Sequence, residues 1–107
     1  MKELLQEFQE GLAWQLEQAG VLTIGITQSA LDQAGALQEV EVADAGDEFE
    51  AGDWIGEIRG KDGLVEILAP CKLRVTERNE EVLEQPGVLE DDPTGDAWML
   101  RVERLDE

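Results

Sequence analysis

The sequence predicts a mainly β fold, a small barrel or sandwich with short helices at its margins. Three observations predict it. Apolar and polar residues alternate over short runs, as in VLTIGIT at 21–27 and LQEVEV at 37–42. Gly, Asp, Asn and Pro separate these runs at close intervals. No linker-like stretch divides the 107 residues, a length that suits one compact core.

Each element has its own signal. Leu4, Leu5, Phe8 and Leu12 recur at helical spacing, which predicts a short amphipathic helix over residues 1–11, ahead of a main domain at 12–107. Leu12 to Glu17 and Val21 to Thr27 read as a hairpin about Gln18-Ala19-Gly20. In its second strand Leu22, Ile24 and Ile26 share one face. Thr27 or Ser29 is placed to cap a helix, SALDQAG, that Gly35 ends in a left-handed conformation. Leu37–Val42 follows, with Val40 and Val42 opposite Glu39 and Glu41. Gly46-Asp47 and Ala51-Gly52-Asp53 mark turns. Trp54–Arg59 and Leu64–Ala69 form a second hairpin about Gly60-Lys61-Asp62-Gly63, where Asp62-Gly63 suits a type I′ turn. Leu73–Arg78 is a strand, and Asn79 caps EEVLEQ, which Pro86 stops. PGVLEDDPTGD reads as a loop, and Trp98–Val102 as the last strand. Trp14, Trp54 and Trp98 read as packing residues.

Charge excludes several functions. Net charge is -18, from 26 acidic and 8 basic residues. Such a surface repels phosphate backbones and anionic lipid, so neither nucleic acid nor a membrane is an expected partner. No apolar run approaches the roughly 20 residues that span a bilayer. MKELLQEFQE is too acidic for a signal or transit peptide. A single cysteine, Cys71, leaves no intrachain disulfide, and a cytoplasmic location is expected. Cys71 itself reads as a packing residue. There is no histidine, so the usual general base and metal ligand are missing. Nothing pairs a nucleophile with a base or cradles a phosphate, so no enzyme is predicted. Glu90, Asp91, Asp92 and Asp96 are clustered carboxylates, but their spacing matches no calcium loop and no metal site is predicted. Nothing here sets an oligomeric state.

Basic residues are concentrated. None lies between Lys2 and Arg59, whereas Arg59, Lys61, Lys72, Arg74 and Arg78 sit on the second hairpin and the strand after it. They either pair with the nearby acidic excess or form an electropositive patch at the hairpin tip.

Four stretches, in order and with spacing that agrees from Ile24 to Val102 without an insertion, resemble one family. They are LTIGITQSALDQAG, EVEVADAGDEFEAGDWIGEI, APCKLRVTERNEEVLEQP and EDDPTGDAWMLRV. Together with the hairpin WIGEIRGKDGLVEILAP, they resemble the H protein of the glycine cleavage system. The resemblance implies a flattened barrel of two small packed sheets, as in lipoyl and biotinyl domains. It also implies a carrier without an active site of its own, whose lipoyl arm hangs from a lysine at the hairpin tip. Family members hold that lysine in a Glu-Ser-x-Lys-Ala type of motif. The same positions here read Arg59-Gly60-Lys61-Asp62-Gly63, so Asp62 stands at the lipoyl-lysine position and Lys61 one residue before it. Leu73 stands where the family usually has a Gly after the Pro, which predicts a different local path.

Two readings of the tip stay open. In the first, Asp62-Gly63 makes a plain turn and the arm is lost. The protein is then a docking module for glycine cleavage or lipoate-attaching enzymes, with no cofactor. In the second, the turn shifts by one residue with help from a bulge at Gly60 or Gly63. Lys61 then carries lipoate, and the protein moves an aminomethyl group between a glycine-decarboxylating enzyme and a folate-dependent transferase.

Overall fold

The computed structural model describes residues 6–91 and 97–105. In chain order the elements begin with β1 (Gln6–Phe8), β2 (Ala13–Gln18), β3 (Val21–Ile26), α1 (Gln28–Ala34) and β4 (Leu37–Val42). They continue with β5 (Glu48–Phe49), β6 (Trp54–Gly60), β7 (Leu64–Leu68), β8 (Leu73–Arg78), α2 (Glu80–Glu84), α3 (Gly87–Asp91) and β9 (Leu100–Arg104). Two antiparallel sheets form a sandwich. One has six strands in the order β1-β2-β3-β9-β8-β5, and the other has three in the order β4-β6-β7.

Alternation sets what lies between the sheets. Leu22, Ile24 and Ile26 on β3 are fully buried, as are Leu100 and Val102 on β9. Ile58 and Ile67 meet them from the smaller sheet. Each such side chain contributes about 1.5–3 kcal/mol on burial. Ala19 and Gly20 have φ of 51° and 85°, the two positive values that a tight turn between β2 and β3 needs. Trp14 is buried on β2 opposite Gly25, whose missing side chain makes room for it. A Cβ at Gly25 would lie 2.6 Å from the indole.

The helix caps follow the sequence. The Thr27 side chain accepts from the Ala30 N–H, and Gly35, at φ 77°, closes α1 with its N–H on the Leu31 carbonyl. The Asn79 side chain accepts from the Glu81 N–H at the start of α2.

Several expectations are corrected. Gln6–Phe8 is a strand paired with β2, not part of a helix over 1–11; residues 1–5 lie outside the described residues. So short a helix has little intrinsic stability in water, and the open edge of β2 offers backbone partners instead. The chain then turns through three consecutive positive φ values at Gln9, Glu10 and Gly11. Gly87–Asp91, expected as loop, forms α3 because Leu89 is fully buried there. The last strand begins at Leu100, not Trp98. Just before it, Asn79 takes up the Trp98 and Met99 carbonyls through its side-chain and backbone N–H groups. Leu73 starts β8 and is fully buried, so the leucine has a packing role there.

On the outer face of the small sheet, Glu41 lies directly opposite Glu57, and Glu57 opposite Glu66. Like charges so paired across strands repel. At the far end of this sheet the hairpin between β6 and β7 rests on the link between α1 and β4. The Lys61 N–H donates to the Ala36 carbonyl at 2.9 Å, and the Asp62 N–H to the Ala34 carbonyl at 2.8 Å. Gly60 allows this approach, since a Cβ there would lie 2.3 Å from the Ala34 oxygen.

Gly25→Ala and Gly60→Ala are each expected to destabilise the fold by about 1–3 kcal/mol through overpacking. Gly87→Ala meets nothing within 4 Å and is expected to be neutral or slightly stabilising, which urea denaturation of the three variants checks. Replacing a repelled glutamate, Glu66→Lys, is expected to stabilise by about 0.2–1 kcal/mol at low salt. The same denaturation series in high salt should show that gain shrinking.

Candidate functional site at the hairpin tip

The β6–β7 register is regular up to the tip, with Glu57, Ile58 and Arg59 opposite Glu66, Val65 and Leu64. The Gly60 N–H donates to the Gly63 carbonyl at 2.9 Å. Two residues therefore form the loop itself, Lys61 and Asp62, and both are exposed. None of Lys61, Asp62 and Gly63 has a positive φ. This corrects the expected type I′ turn at Asp62-Gly63. The backbone N–H groups of Lys61 and Asp62 are held by the α1–β4 link, and that contact, not left-handed turn chemistry, shapes the tip. Across β6–β7 no register shift falls at Gly60 or Gly63, whereas on the other side of β6 the β4 register shifts opposite Arg59 and Gly60. In the small sheet the register shifts fall at Leu37/Glu39 and Trp54/Gly56.

The two loop side chains differ in setting. The Asp62 carboxylate lies over Gly35, so close that a Cβ at Gly35 would sit 2.5 Å from Oδ2. Among the described residues Lys61 has no ion-pair partner. The other basic side chains among the described residues all have one. Arg59 reaches Glu39 at 3.8 Å and Glu57 at 3.7 Å, and Lys72 reaches Glu50 at 3.9 Å. Arg74 pairs with Glu48 and Glu103, and Arg78 with Asp44. Arg101 pairs with Glu77 and Arg104 with Glu17. Such exposed pairs add little stability, but they occupy the cations. The five basic residues near the hairpin thus form no shared patch. Four are matched by carboxylates, and Lys61 is left as an isolated amine on a projecting turn.

That arrangement presents a primary amine to solvent. The chain has no histidine to act as a base beside it. Among the described residues no group of His, Cys, Asp and Glu is placed to hold a metal ion; Asp92 and Asp96 of the carboxylate cluster lie outside them. No helix among the described residues is long and apolar enough to cross a membrane. Trp54 is half-buried and donates from Nε1 to Glu57 at 3.1 Å, while Trp98 stacks under the Arg101 guanidinium at 4.1 Å. Both tryptophans therefore have partners within the fold, as Trp14 does. Periodicity alone does not mark Gly60 as a packing residue. The available signal was a glycine ending a strand, which often marks the close approach of another backbone.

Comparison with known proteins places the fold and the chain in a family. The family model described as glycine cleavage H-protein matches residues 6–107. The glycine cleavage system H protein of Prochlorococcus marinus (strain MIT 9301) is 38% identical over 85 residues, 79% of this chain and 66% of its own length. That of Trichormus variabilis is 40% identical over 82 residues, 77% of this chain and 63% of its own length. The chain thus spans about two thirds of the length of these relatives. A crystal structure of a glycine cleavage system H protein from Mycobacterium marinum superposes with a TM-score of 0.86 at 22% identity, covering 100% of this chain and 90% of that one, which shows the shared fold. The matched residues run from the first strand through the tip to the end of the chain, and they show that this protein belongs to the glycine cleavage H-protein family, a family of carriers and not of enzymes.

Proposed function

We propose that this protein is a lipoyl carrier of the glycine cleavage type whose acceptor is Lys61. One observation carries the reading: Lys61 is an exposed amine of a two-residue hairpin tip and, among the described residues, has no carboxylate partner. No shifted turn or bulge is needed to bring it there. Its neighbours are small or held away, with Gly60 packed on Ala34 and Asp62 lying over Gly35. The site therefore fits a group attached through an amide to Lys61 Nζ. Once attached, a lipoyl group would supply a dithiolane that receives and releases an aminomethyl unit. The chain's own part is to fix the base of that arm. Three main-chain hydrogen bonds hold the tip, through Gly60, Lys61 and Asp62. The acidic surface favours docking on basic faces of larger enzymes, and its charge acts mainly on encounter rate and specificity.

A second reading has its own support. Asp62, at the position the family resemblance gives to the lipoyl lysine, is an acid seated against Gly35. On that reading the protein is a docking module without an arm.

Co-expression with a lipoate-attaching enzyme and lipoate separates the two. The carrier reading expects one lipoyl group per chain by intact mass, mapped to Lys61 and abolished by Lys61→Arg. A wild-type chain without label, beside an Asp62→Lys variant that is labelled at residue 62, would remove the carrier reading and leave the docking module.

A further inference from the structure

A different part of the molecule carries a second surface. β7 is an edge strand of the small sheet, and an unprotected edge is a template for pairing with another chain. Here the Gln9 side chain covers part of it. Gln9 Nε2 donates to the Glu66 carbonyl, and the Leu68 N–H donates to Gln9 Oε1 at 2.8 Å. One carboxamide thus supplies the donor and the acceptor that a peptide group of an added strand would supply. Gln9 and Glu10 hold positive φ, at 58° and 59°, a conformation that non-glycine residues adopt at a cost. Beside this contact lies a groove of about 350 Å³ lined by Phe8, Gln9, Gly52, Leu68, Ala69 and Pro70.

We infer that the β7 edge is a docking site for an extended peptide segment of a partner protein, and that Gln9 is a displaceable guard of that edge. The incoming strand would take over the Glu66 carbonyl and the Leu68 N–H and lay an apolar side chain in the groove. Charge selects the occupant. Glu7, Glu10, Asp53 and Glu66 are exposed around the site, and Lys72, near Pro70 in the chain, is already paired with Glu50. The partner segment is therefore one that alternates basic and apolar residues. A second copy of this chain is disfavoured, since it brings the same Glu66 and the same net charge of -18.

The test uses the full chain and a synthetic Lys-Val-Lys-Val-Lys peptide with blocked ends. Amide NMR shifts are followed at Leu64, Glu66 and Leu68. The expected result is perturbation of β7 and binding roughly tenfold tighter to Gln9→Ala, since the peptide no longer competes with two hydrogen bonds. Gln9→Glu, which keeps the acceptor and loses the donor, is expected to fall between the two and guards against a Gln9→Ala variant that misfolds. A peptide N-methylated along its pairing edge should not bind. The inference is overturned if β7 is unperturbed, or if the N-methylated or Glu-Val-Glu-Val-Glu peptide binds equally well. It is also overturned if Gln9→Ala dimerises and ignores the peptide, which would give the edge to a second copy.

Discussion

The tip depends on the close approach of two backbones, Gly60 and Ala34. Without a side chain at Gly60, β6 reaches the end of α1, and the carbonyls of Ala34 and Ala36 take up the next two N–H groups of the turn. A carbonyl at a helix end has no partner within its own helix, so this contact also completes α1. The left-handed Gly35 lies at the same junction, and the Asp62 carboxylate fills the space where its side chain would be. A turn held from below in this way projects rigidly. Its remaining side chain, Lys61, is set by the main chain around it and not by contacts of its own.

Electrostatics reinforces that isolation. In a chain of net charge -18 almost any cation finds a carboxylate, and six of the seven basic residues among those described have done so. Lys61 is the one described basic residue without a described carboxylate partner, and it lies in the loop that ends the β6–β7 hairpin. The acidic excess is not evenly tolerated, as the row of Glu41, Glu57 and Glu66 shows. A surface that accepts such repulsion is suited to meeting basic partners.

Much of the fold was legible from periodicity and turn chemistry. The β2–β3 and β6–β7 hairpins, α1 with its Thr27 cap and Gly35 end, and the Val40 and Val42 face of β4 were all readable, because each is decided by local pattern and burial. The N-terminal segment was not. Its apolar spacing suits a helix, but its conformation is decided by strand pairing with β2, a non-local term. At the tip, Asp62-Gly63 gives a local turn signal that tertiary hydrogen bonds to Ala34 and Ala36 override. The candidate lysine could be found from the sequence, whereas its freedom from carboxylates could not. The contact of Gln9 with β7, 57 to 59 residues away in the chain, leaves no mark in local pattern at all.

The most direct measurement is the mass of the peptide bearing residue 61, from protein purified from its own source and digested without reduction of any acyl group. A lipoyl group on Lys61 in that peptide is the result this account predicts. The same peptide carrying an unmodified Lys61, recovered alongside a lipoylated carrier from the same cells, would contradict it.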